Sequence, residues 1–181
     1  MKTWGNFVGY QLSWFVAVAA AGRGLAWPGI AATALFVLWQ LAVSPYRAAD
    51  LKLVVLAMIS GMVIDGLGSA YRWLGYGAPS PALPPGGAPM WILGLWSALA
   101  MTLGQTLRYL RGKPVIAMLL GAVGAPLAYL SASRGWHAVE FPSPAWHGLA
   151  WLALGWSIAM PCLVLAAARW QRVSSIAQSA S

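Results

Sequence analysis

Acidic residues are almost missing from this chain: Asp50, Asp65 and Glu140 are the only three in 181 residues. With eleven Lys and Arg, charged side chains reach 8%, against roughly 25% in a typical soluble domain. So sparse a set cannot cover a soluble surface, and that class is excluded. A single cysteine, Cys162, lies inside an apolar block, which rules out a disulfide or zinc framework. The two histidines, His137 and His147, are too few for a histidine-rich metal centre. A Walker loop, a dinucleotide glycine pattern and a nucleophile elbow are all lacking. No metal and no cofactor is called for.

What the chain does have is apolar length. Hydrophobic residues make up 60%, and twelve are tryptophan. A membrane span needs about 20 mostly apolar residues, and six blocks meet that demand: 5–22, 27–43, 51–70, 89–108, 114–132 and 145–168. Basic residues sit between the blocks. With the N-terminus inside, Lys2, Arg47, Lys52, Arg108, Arg111, Lys113, Arg169 and Arg172 fall on the cytoplasmic side. Only Arg23, Arg72 and Arg134 face the other way, as the positive-inside rule requires. The net charge of +8 is thereby explained by retention at the inner leaflet, and with no basic stripe it implies no nucleic acid. Trp4, Trp27, Trp73, Trp91, Trp136, Trp146 and Trp170 lie near block ends, where indole prefers the headgroup boundary. The expected fold is an all-α polytopic membrane bundle of six transmembrane helices, residues 1–172, with both termini cytoplasmic. Residues 173–181 read as a disordered tail. Lys2 and Ala19-Ala20-Ala21-Gly22 have the form of a cleavable signal, but Gln11, Ser13 and Trp14 interrupt the block and Arg23 follows it directly.

Ionisable groups in hydrocarbon are costly and ask for a partner or a purpose. Asp65 is the clear case, roughly 8 Å below the outer boundary by helical rise. Tyr129, and His147 at the start of the sixth block, fall at a similar level. The functional reading makes Asp65 a catalytic acid or base supported by Tyr129 and His147. The bland one pairs it with Arg72 or Arg134. Arg72, Trp91 and Arg134 complete an outer ligand-binding set. Toward the cytoplasm Asn6, Gln11, Gln40, Thr102, Gln105 and Arg108 form a second polar layer. Amides and hydroxyls there read as interhelical glue; Arg108, with Arg111 and Lys113, can also receive a lipid phosphate, and Gln11, Gln105 and Arg108 join the ligand-binding set.

Asn6, Gln11, Trp14, Asp65, Pro89-Met90-Trp91, Trp96, Leu107-Arg108, Gly124-Ala125-Pro126-Leu127-Ala128-Tyr129, Gly155-Trp156 and Pro161 together carry a resemblance. The chain resembles a group of short bacterial inner-membrane proteins catalogued as a domain of unknown function. Relatives of that kind are expected to hold an Asn-His-like pair where Gly104-Gln105 stand here. Members are often encoded near enzymes that modify membrane fatty acids, including cyclopropane-synthase-like methyltransferases. The resemblance implies a lipid-related role at the inner membrane. The leading expectation is therefore a protein that binds or modifies a membrane lipid, or another hydrophobic substrate, between its helices. A small proton-coupled transporter is the first alternative, although the two halves show no alignable inverted repeat. A non-catalytic subunit that docks a membrane-protein partner is the second.

Overall fold

A computed structural model describes the backbone of residues 2–179 and the side chains of residues 3–176. Among the described residues there are six α-helices: α1 (Lys2–Ala21), α2 (Trp27–Val43), α3 (Arg47–Ala70), α4 (Met90–Leu103), α5 (Pro114–Trp136) and α6 (Trp146–Ser179). Proline stands in the first turn of α2 and of α5, where its missing N–H leaves no helical bond unmade. Three helices, α3, α5 and α6, are long and apolar enough to cross a membrane. α2 and α4 are apolar but shorter, at 17 and 14 residues.

The shortest helix is the core. Eleven of the fourteen residues of α4 are buried, and α1, α2 and α3 pack around it. α5 lies outermost, packed chiefly on α6. Its buried residues, Ala117, Gly121, Ala125, Tyr129 and Ala132, form one narrow stripe at helical spacing. Gly121 sits so close to the Trp156 carbonyl of α6 that a Cβ would collide with that backbone. Small residues let the two helices approach at this point.

Polarity is distributed inside out. Asn6, Gln40, Asp50, Asp65 and Gln171 are buried. Leu12, Leu35, Leu38, Val55, Ile59, Leu119, Val123, Leu154 and Ile158 are exposed on the helix exteriors.

Two antiparallel strand pairs close one end of the bundle. β1 (Gly75–Tyr76) pairs with β4 (Val139–Glu140), and β2 (Ala82–Leu83) pairs with β3 (Ala88–Pro89). The connection 71–88 thus folds back onto the helices, burying Leu74, Ala78 and Ala88. Met90 N–H donates to the Pro81 carbonyl at 2.8 Å, so the loop is tied to the first residue of α4.

Two sequence-based expectations need correction. The block 89–108 is not one helix: α4 ends at Leu103, and turns lead to a short 3-10 segment, Arg108–Leu110. Side chains from other helices hold this break. Asn6 Nδ2 donates to the freed Met101 carbonyl at 3.1 Å, and Gln105 Nε2 donates to Gln40 Oε1 at 2.8 Å. The tail expected to be disordered from 173 instead continues α6 as far as Ser179. No Gly or Pro follows Pro161, and Ala, Gln, Arg and Ile prolong the helix. Ala180 and Ser181 lie outside the described residues.

Candidate functional site

Asp65 sits on α3 five residues from its end and is 0% exposed. Both of its oxygens accept hydrogen bonds. Tyr76 and Tyr129 donate their hydroxyls to Oδ1 at 2.7 and 2.6 Å, and Trp96 Nε1–H donates to Oδ2 at 2.7 Å. One carboxylate therefore joins α3, α4, α5 and the 71–88 loop. The approach of Trp96 depends on Gly61, one turn before Asp65 on the same face of α3: a Cβ there would run into the indole. Burial, and then the neighbouring Asp65, push the Tyr76 hydroxyl well above the ordinary tyrosine range, so this loop group stays protonated as a donor.

Tyr129 links this network to a cavity of about 220 Å³ between α4 and α5, flanked by α1 and α6. Trp14, Trp91, Leu95, Leu120 and Ala128 represent its apolar wall. The small residues Gly121, Gly124, Ala125, Ala128 and Ala132 of α5 create the space by leaving that face shallow. Trp156 stacks on Trp96 with ring centroids 4.0 Å apart. Its buried Nε1–H lies beside the Tyr129 hydroxyl but makes no well-formed hydrogen bond. Tyr129 and Trp156 give an otherwise greasy cavity a polar end. Asp65 does not line it, but holds Tyr129 from behind.

Of the residues singled out in sequence, Asp65 and Tyr129 are brought together, and Trp91 shares the cavity wall with Tyr129 alone. Trp91, the second residue of α4, is 1% exposed and donates Nε1–H to the Ala78 carbonyl. His147 is absent from the Asp65 cluster and packs on the rings of Trp146 and Trp73. Arg72 and Arg134 are exposed, and neither pairs with Asp65. Gln105 belongs to the amide cluster at the opposite end, where Asn6 also donates to Gln40 Oε1 at 2.9 Å and Thr106 donates to Asn6 Oδ1 at 2.6 Å. Gln11 is half-buried on α1 outside that cluster, and Arg108 is exposed on the 3-10 segment.

Three participants were not read from the sequence as polar contacts: Tyr76, Trp96 and Trp156. Trp96 and Asp65 both lie five or six residues inside the same end of their helices, a depth match that pointed to the pair. Tyr76 carried no comparable signal, because its loop had no periodicity to place it.

Residues 3–162 match the family described as "Protein of unknown function (DUF2878)". The chain belongs to that family. Neither the curated proteins nor the solved structures offer a match to it.

Proposed function

We propose that this family member is a six-span membrane protein of the bacterial inner membrane, with both termini cytoplasmic, that holds a hydrophobic ligand such as a lipid acyl chain in the α4–α5 cavity. The inside-out distribution of polarity supports the membrane setting, since exposed Leu, Ile and Val on every long helix suit lipid rather than water. The observation that carries the ligand reading is the cavity itself: about 220 Å³ with an almost wholly apolar wall. Apolar cavities of roughly 150 Å³ already take up benzene, so a stretch of acyl chain has room here. In this reading Tyr129 and Trp156 offer a hydroxyl and an N–H to a polar atom of the ligand. Asp65 is a positioning residue that fixes the hydroxyl. A bond to a buried donor that otherwise lacks a well-formed partner, as Trp156 Nε1–H does, is the kind of contact that gives an apolar site its selectivity.

The test is retention of radiolabelled palmitate by the purified protein in detergent. Ala128→Phe fills the cavity from α5 and is expected to cut retention at least tenfold while leaving helix content unchanged. Undiminished retention in a folded Ala128→Phe protein would reject the reading. A proton-coupled transporter needs a wet path to its acid, whereas Asp65 is sealed and the adjoining cavity is apolar. That contrast favours binding over transport.

A further inference from the structure

The opposite end of the bundle carries a second cavity, of about 620 Å³, lined among others by Tyr46, Arg111, Leu165, Arg169, Gln171 and Arg172. Leu165, Arg169 and Arg172 lie at i, i+4 and i+7, so α6 presents one stripe to it. Three guanidinium groups thus face one opening. The nearby acid does not balance them: Asp50 accepts from Ser44 through Oδ2 and from Gln171 Nε2 through Oδ1 at 3.0 Å. Gln171 in turn accepts from Arg111 through Oε1, so an amide stands between the carboxylate and the guanidinium. Arg111 Nε–H is buried without a partner. Burial first, and then the adjacent Arg108, act against its charge and lower it from the ordinary arginine range, outweighing the opposite pull of Asp50. Arg169 and Arg172 are exposed and meet no acid among the described residues.

Surplus positive charge, an orphaned buried guanidinium donor and a roomy opening describe an anion site waiting for its counterion. Planar guanidinium forks match tetrahedral oxyanions, and phosphate above all. We infer that this cavity binds a phosphate-bearing anion, clamped by Arg111, Arg169 and Arg172, supplied either by a phospholipid headgroup or by free phosphate. Leu165 and Val173, exposed at its edge, provide an apolar flank along which the chains of a phospholipid can run. The site shares no residue with the α4–α5 cavity, so it stands independently of the ligand proposed there.

Calorimetric titration of the purified protein in non-ionic detergent tests this, with water-soluble dihexanoyl phosphatidylglycerol in one arm and sodium phosphate in the other. At least one of them is expected to bind saturably. Affinity should fall at least tenfold in the double variant R169Q/R172Q, whose side chains are exposed and whose loss leaves the Asp50–Gln171–Arg111 chain intact. The double variant R72Q/R134Q, which removes equal charge at the other end, should bind as the parent does. Binding of the short lipid without competition from phosphate identifies a headgroup site; binding or competition by phosphate identifies the free anion. Failure of both to bind, affinity unchanged in R169Q/R172Q, or equal loss in the two double variants would overturn the inference.

Discussion

Replacing Asp65 by asparagine turns one acceptor oxygen into an N–H. Against the Trp96 indole it meets a pure donor, and the two phenols can accept it only by turning their own hydroxyl hydrogens away and losing their acceptor. A buried donor left against a donor costs about 1–3 kcal/mol. Asp65→Asn should therefore lower the thermal unfolding midpoint by several degrees; an unchanged midpoint would mean the network contributes nothing. Tyr76→Phe and Tyr129→Phe each remove one donor and should destabilise to a similar, smaller extent. They differ in function: only Tyr129→Phe should also weaken retention of labelled palmitate, because only Tyr129 lines the cavity. At this scale the sequence was informative where a residue was costly. Asp65 stood out because an intramembrane acid needs partners, and Tyr129 because it shared the depth of Asp65. His147 shared that depth too, yet its ring turned to Trp146 and Trp73. Depth along a helix is legible; direction around it is not, until the neighbours are known.

Helix α4 shows how tertiary contacts overrule a run of apolar residues. From the sequence alone the block 89–108 reads as one span, since a lone Gly104 is tolerated in membrane helices. The break after Leu103 is stabilised by Asn6 and Gln40, which come from α1 and α2. Asn6→Ala would orphan the Met101 carbonyl and leave the Thr106 hydroxyl only its longer contact with the Thr3 carbonyl. It should cost about 1–3 kcal/mol, read as a lower unfolding midpoint in detergent; no loss would show the break to be held by other means. Gly61→Ala probes the other face. Its Cβ would displace the Trp96 indole, an overpacking penalty of about 1–3 kcal/mol, and a midpoint equal to the parent's would contradict the close approach seen here. By contrast α2 begins and ends where Pro28 and the apolar run place it, at 27 and 43, because local signals alone decide it.

For the whole molecule, the bundle encloses its polar residues and turns Leu, Ile and Val outward. The two halves of the proposal for it separate cleanly. The proposed topology rests on placement of the basic residues, and reporters fused at either terminus should both prove cytoplasmic; an extracytoplasmic signal from either would overturn the proposed orientation. The α4–α5 cavity was not legible in sequence at all. It arises because a stripe of Gly and Ala on α5 faces aromatic side chains of α1 and α4 without filling the gap, a matter of which faces meet. Photolabelling addresses it directly. Protein in vesicles containing a diazirine-tagged palmitate would be irradiated and the adducts mapped by mass spectrometry. Adducts at Trp91, Leu95 and Ala128 are expected if an acyl chain occupies the space between α4 and α5. Adducts confined to the outward-facing Leu119, Val123 and Leu154 would mean that lipid touches only the exterior and the cavity holds none.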